Sequence, residues 1–231
     1  MKTSAQHNRW QPVRRVVQIL LMCMLPFGAC SQLAAKSGNA DASLHVLVFN
    51  YSGASSTTLE AAERETSRIF SDAGIDIAWV HCPIPLRADS DEACAADLGV
   101  AGEVRVRILD HATENAVGGS VFGFAVAPVF ATVYYSDVLR IPTLHNSDFE
   151  IPLILGCLIA HEIGHLILGP GAHASAGIMQ ARWESAELTR AIRGQIGFTN
   201  AEKRVLRANT LIRQRLFIFN EQRRQQMAEL R

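Results

Sequence analysis

The sequence predicts an α+β fold built on one mixed β-sheet. Three observations predict it. Short segments rich in β-branched residues, near 44–49, 75–79, 104–108 and 129–136, read as strands. The segment 151–168 is a long apolar segment containing two histidines, too long for a strand, so it reads as a buried helix. Two further stretches with helical period, about 184–193 and 199–228, close the chain. The order β-α-β-β-β-α followed by helices mixes strand and helix runs, as α+β domains do.

The first strand is Leu44-His45-Val46-Leu47-Val48-Phe49. Thr57 or Thr58 can cap a helix running to about Ala73, because a hydroxyl there accepts an otherwise unpaired backbone N–H. Leu59, Ala62, Thr66, Ile69 and Phe70 give that helix one inward face, and Gly74 stops it. Ile75, Ile77 and Trp79 alternate with Asp76 and Ala78 as a second strand. Val104, Val106 and Ile108 alternate with Arg105 and Arg107 as a third. Gly118-Gly119-Ser120 and Gly123 predict a flexible loop, and Val129 to Ser136 a fourth strand. Asn146, Ser147 or Asp148 can cap the helix 151–168, with Pro152 in its first turn, where no N–H is needed. In the last helix, Val205, Asn209, Ile212, Leu216 and Phe219 share one face, which predicts a docked amphipathic helix; a basic helix on anionic lipid is the alternative.

Composition bounds the rest. At 48% hydrophobic and 19% charged, the chain can bury a sizeable core. Its 22 basic and 22 acidic residues balance, so nothing points to a nucleic-acid partner. The ends are uneven. Residues 1–30 carry Lys2, Arg9, Arg14 and Arg15 and no acid, ahead of an apolar run from Val16 to Leu25 and then small residues. That is the layout of an export signal, too short for a comfortable membrane span. Phe27-Gly28-Ala29-Cys30 is similar to a lipobox with Phe in place of Leu, which admits lipid anchoring at Cys30; an uncleaved anchor is the plain alternative. Residues 31–43 read as a linker. Without residues 1–30, 18 basic residues face 22 acids, a net charge of about −4. The expected organisation is a signal over 1–30, a linker over 31–43, a main domain over 44–183 and helices over 184–231 packed on it. Cys82 and Cys94 flank a polar loop, so an exported chain is expected to join them, with two free thiols as the alternative. Cys157 sits in the apolar run and reads as a small core residue.

The apolar helix contains Ala160-His161-Glu162-Ile163-Gly164-His165. His161 and His165, one turn apart, lie within roughly 40° on one helical face. Two imidazoles so placed can reach one zinc ion at about 2.0–2.1 Å. Glu162 projects beside them, placed to hold a water on the ion and to take its proton. Unpaired imidazoles and a carboxylate are costly to bury, and a bound dication reverses that cost. Two candidates offer a third ligand. Gly169 can end the helix in a left-handed conformation, and Pro170-Gly171-Ala172 can turn the chain so that His173 faces the ion. Glu184, on a following helix, is the competitor.

This stretch resembles the metzincin-like zinc metalloproteases, whose pattern is His-Glu-x-x-His-x-x-Gly-x-x-His followed by a methionine in a tight turn. The resemblance implies a zincin-like sheet of four to five strands with a long N-terminal helix, an active-site helix and a C-terminal helical region. It places zinc ligands at His161, His165 and His173, the general base at Glu162, and the turn methionine at Met179 after Gly177-Ile178. The spacing departs from the pattern: Gly169 is four residues after His165 and His173 is eight after, where the family has three and six. The stretch is also similar to exported bacterial proteins in which a His-Ala pair precedes Gly-Ile-Met and a Trp, here Trp183. In the family an edge strand pairs with an extended peptide substrate, and the matching segment is Ala131 to Tyr135, with Tyr134 or Tyr135 able to face the cleft.

The expected function is therefore zinc-dependent hydrolysis of peptide bonds by an exported bacterial protein, periplasmic or secreted, with Glu162 as proton carrier. Two alternatives stand. One is a gluzincin-type peptidase with Glu184 as third ligand. The other is a non-catalytic zinc-binding protein whose site is closed by a fourth ligand such as Cys157. Peptide or protein is the expected partner, with membrane association through the N-terminus.

Overall fold

The computed structural model describes residues 42–85, 94, 103–111, 122–128, 130–141 and 147–229. The signal-like stretch 1–30, linker residues 31–41, Gly118 to Ser120, Val129 and Asn146 lie outside the described residues. Ala42 and Ser43, expected at the end of the linker, already pair with Ile75 and Asp76.

A five-stranded sheet has the order β2-β1-β3-β5-β4 among the described residues. The strands are β1 (Ala42–Asn50), β2 (Ile75–Cys82), β3 (Glu103–Leu109), β4 (Gly123–Val126) and β5 (Phe130–Tyr134). β1 runs parallel to β2 and β3, β3 runs parallel to β5, and β4 is antiparallel to β5 at the edge. The helices are α1 (Ser56–Ser71), α2 (Tyr135–Leu139), α3 (Ser147–Leu168), α4 (Ser185–Ile192) and α5 (Asn200–Glu229).

Strand alternation sends Leu44, Val46, Val48, Val104, Val106, Ile108, Ala131 and Val133 to one face of the sheet, all buried. α1 and α3 cover that face with Leu59, Ile69, Phe70, Ile154, Leu155, Ile159 and Ile163. Thr66 ties the two helices by donating its hydroxyl to Gly156 O at 2.9 Å. α3 is apolar enough by composition to cross a membrane, yet 83% of its most apolar window is buried within the protein, so it is the core helix of the fold. On the opposite face, Leu47 and Phe49 pack with Cys82 and Cys94, which are bonded with a Cα–Cα distance of 5.6 Å.

Several elements differ from the sequence reading. Ser55, not Thr57 or Thr58, caps α1: its hydroxyl accepts the Thr58 N–H at 3.1 Å. α3 begins at Ser147, so Pro152 lies in the second turn and removes one bond of the helical ladder. The strand expected over Val129 to Ser136 ends at Tyr134, and Tyr135 opens α2. Gly123, expected in a flexible loop, opens β4, so the sheet edge is Gly123–Val126 and not Ala131 to Tyr135, which lies one strand inward. Four residues starting with glycine are too few to show a strand period.

The largest difference concerns α5. Val205, Ile212, Leu216 and Phe219, expected to dock, are exposed. Of the expected face only Asn209 docks; with it the docked side carries buried Leu206 and Thr210, the side chain of Arg213, and Phe217. Asn209 donates to Ile167 O at 2.8 Å, and Arg213 donates to Leu166 O at 2.7 Å and Pro128 O at 2.8 Å. These satisfy carbonyls left over in the last turn of α3 and fasten the β4–β5 turn to it. Phe217 stacks on His45 with ring centroids 5.0 Å apart. Polar side chains therefore fix the helix's rotation, and a count of apolar positions misses them.

Candidate metal centre

α3 carries His161 and His165 on the side facing β4. His161 is buried and His165 partly so. The imidazole of His161 is oriented from below: its Nδ1–H donates to Ile178 O at 2.7 Å. A carbonyl only accepts, so this bond leaves the Nε2 of the neutral ring with its lone pair outward. Trp183 also donates to Ile178 O, at 3.3 Å, and its ring meets the His161 ring edge-on.

The chain leaves α3 at Gly169 with φ +107 and turns again at Gly171 with φ +75, values that disfavour any side chain. Gly169 N–H still donates to His165 O at 3.1 Å, Ala172 N–H to Gly169 O, and His173 N–H to Gly171 O at 2.7 Å. This double bend returns the exposed His173 to the helix. Its Nε2 lies 3.2 Å from the Nε2 of His165, which in turn lies 3.1 Å from the Nε2 of His161. All three nitrogens fall within 4.8 Å of one another, and no other such group of His, Cys, Asp and Glu occurs among the described residues.

A tetrahedral ion with bonds of about 2.0–2.1 Å holds neighbouring ligand nitrogens about 3.3–3.4 Å apart. The two observed separations are close to that. Hydrogen bonding alone accounts for them poorly, since one Nε2–H of His165 cannot serve two partners. Burial and the neighbouring rings push His165 down to about 4, and burial lowers His161, so both imidazoles are neutral donors at neutral pH. Three imidazole nitrogens and no thiolate suit a borderline divalent ion such as zinc.

Glu162 points to the same cleft. Burial pushes its carboxyl up to about 8, and a dication held by the adjacent imidazoles is the charge that would restore the carboxylate. A Cβ on Gly123 would come 2.9 Å from Glu162 Oε1 and 2.5 Å from Thr132 O, so the edge strand leaves room for the carboxylate only because residue 123 has no side chain. Sequence reading missed Gly123; its signal, one glycine among several in a loop, was too weak. The cleft is a cavity of about 210 Å³, lined by His161, Glu162, His165 and His173 below and by Gly123 to Ala125 and Ala127 of the edge strand and its turn above.

The other candidates fall elsewhere. Met179 is fully buried beneath α3, and a Cβ on Gly164 would come 2.7 Å from its Sδ. Glu184 is the N-cap of α4, its N–H donated to the Glu187 carboxylate at 3.1 Å, and it is not among the converging groups. Cys157 is a buried free thiol whose Sγ lies 3.8 Å from Glu65 Oε1, on the side of α3 facing α1. Tyr134 is buried, with its ring 6.2 Å from that of Phe124. Tyr135 is half-buried at the start of α2.

No protein-family model and no curated protein sequence matches the chain. Solved structures do. A zinc-dependent peptidase from Methanocorpusculum labreanum superposes with a TM-score of 0.50 at 16% identity, covering 70% of this chain and 99% of its own. Archaemetzincin from Methanopyrus kandleri gives a TM-score of 0.46 at 16% identity, covering 74% of this chain and 97% of its own. The first likeness shows a shared fold over 70% of this chain.

Proposed function

We propose that this chain is a zinc-dependent metallopeptidase of the metzincin kind that is exported by a bacterium and hydrolyses peptide bonds. One observation carries the reading: three imidazoles converge beside a buried carboxylate in a cleft roofed by an edge strand. The fold shared with a zinc-dependent peptidase supports it. His161, His165 and His173 would hold the ion. When bound, zinc supplies Lewis acidity, polarising a carbonyl and bringing the pKa of a water to near 7. β4, the edge of the sheet, would pair with an extended substrate through backbone bonds, which suits peptides of varied sequence. Glu162 accepts the proton of the attacking water at its carboxylate and delivers it to the departing amine. The Ile178 carbonyl keeps His161 in the tautomer that donates through Nε2.

A structural zinc site is closed by four protein ligands, whereas a catalytic one keeps a position open. Among the described residues three ligands gather, and neither Cys157 nor Glu184 joins them. This favours the peptidase over the fastener and His173 over Glu184.

The test pairs metal content with a peptide-library digest. The Glu162→Gln variant should keep stoichiometric zinc and lose hydrolysis by about 10²–10⁴-fold. His165→Ala should lose the metal. Full activity in the first variant removes Glu162 from the mechanism, undiminished zinc in the second removes the site, and zinc-loaded wild type that cleaves nothing favours the fastener.

A further inference from the structure

The stripe of α5 expected to dock is turned to solvent instead. Val205, Ile212, Leu216 and Phe219 are 47%, 56%, 47% and 60% exposed. At 100° per residue they occupy a sector of about 60°, roughly 120° around the helix from the docked face of Leu206, Thr210, Arg213 and Phe217. The stripe runs fourteen residues, about 21 Å of helix. Arg204 and Arg215 border it on the solvent side, and Arg223 continues it one turn beyond Phe219; all three are exposed. None of the three is in a salt bridge with a carboxylate among the described residues. Residues 203–220 contain five basic residues and no acid. The helix is also held from its other side at Gly74, Ile167, Leu166 and Pro128, so this face is presented ready-made.

We propose that this face of α5 lies on an anionic lipid surface, with the four apolar side chains among the acyl chains and the arginines at the headgroups. Aliphatic and phenyl groups beside cationic, snorkelling side chains on a single ridge are the pattern of an interfacial helix. A flat surface can touch a ridge along its whole length. A second copy would set the same arginines against each other. The inference stands on α5 alone and does not depend on the proposed activity.

The experiment uses the full chain with Phe219→Trp, so that the reporter sits in the stripe and any anchoring through residues 1–30 is the same in every variant. Vesicles of phosphatidylglycerol and phosphatidylcholine, and of phosphatidylcholine alone, carry brominated acyl chains, and the protein with Phe219 unchanged supplies the background of its own tryptophans. Emission from residue 219 should shift to the blue and be quenched by the anionic vesicles, less so at high salt. Each arginine near such a surface contributes about five-fold to partitioning, so Arg204/Arg215/Arg223→Gln should lower it on the order of a hundred-fold. Circular dichroism checks that the variant keeps its helix. Emission that neither shifts nor quenches overturns the proposal, as does equal quenching by neutral vesicles or by the triple variant. A concentration-dependent dimer in sedimentation that the triple variant does not weaken, with no quenching, assigns the face to a second copy instead.

Discussion

Gly164→Ala tests the packing that joins α3 to the methionine turn. Helix propensity alone favours the change: alanine in a helix interior is better than glycine by about 1 kcal/mol. Packing opposes it. The new Cβ would lie 2.7 Å from Met179 Sδ, 3.3 Å from its Cε and 3.1 Å from Phe198 Cε1. Met179 is 0% exposed and Phe198 4%, so neither side chain has solvent to retreat into. Methionine is the most adaptable core residue, which places the overpacking at about 1–3 kcal/mol. The net change in the natural background is then a loss of about 0–2 kcal/mol. Removing the obstacle reverses the sign. Met179→Ala alone should cost about 2–5 kcal/mol through its cavity, and Gly164→Ala added to it should then stabilise by up to about 1 kcal/mol. The four proteins form a double-mutant cycle, read by urea unfolding in the metal-free state, with a coupling of about 1–3 kcal/mol. Shifting Met179 also disturbs the Ile178 carbonyl that holds His161, so the single variant should bind zinc about 10–100-fold more weakly. Equal effects of Gly164→Ala in both backgrounds would refute the contact and the placement of Met179 under the helix.

Two further outcomes follow from groups outside the cleft. Glu63 is buried in α1 with Oε1 lacking a hydrogen-bond partner among the described residues, and burial raises its carboxyl above 4.5 in spite of His81 at 3.3 Å. The native state therefore keeps a proton that the unfolded chain gives up, and stability falls as pH rises from 4.5 through the raised native value; Glu63→Gln should flatten that fall and stabilise the protein at neutral pH, which urea titrations from pH 4 to 8 would show. Arg213→Met removes the donor shared by Leu166 O and Pro128 O; unfolding should become easier by roughly 2–3 kcal/mol, with Arg213→Lys recovering only part, and no change in either variant would discard the clamp.

What was legible depended on how local each signal is. The His161–His165 pair lies one turn apart on one helix, so its common face follows from helical geometry alone. β1 was legible as a nearly continuous apolar run with three β-branched or bulky positions on each face, and β3 because period-two alternation survives in its seven residues. β4 was not: its four residues become a strand only because β5 pairs with them in the folded chain. The rotation of α5 was hidden for another reason. Val205, Ile212, Leu216 and Phe219 are the stronger apolar stripe, but backbone carbonyls at the end of α3 need donors, and Asn209 and Arg213 supply them from the adjacent face. Glu65 at 6% exposure is likewise unreadable in sequence, since its burial rests on the bidentate partner Arg68, 2.6 and 2.8 Å away, and on where α3 crosses.

The irregular spacing of the third histidine has a physical resolution. Eight residues, not six, separate His165 from His173. α3 continues three residues past His165, so the chain leaves the helix later than in the metzincin pattern. Two glycines of positive φ then reverse it within five residues, and no atom of the described residues lies within 4 Å of a Cβ built on either one. Backbone conformation, not crowding, is what those positions demand, and the loop absorbs the added length in open space. The Nε2 separations of 3.1 and 3.2 Å show that the added length does not disturb the convergence of the three imidazoles. A pattern of fixed spacing constrains the path of the loop, whereas an ion constrains only where the loop's imidazole arrives. His173 meets the second condition while violating the first, so convergence of nitrogens is the sounder criterion for a centre of this kind.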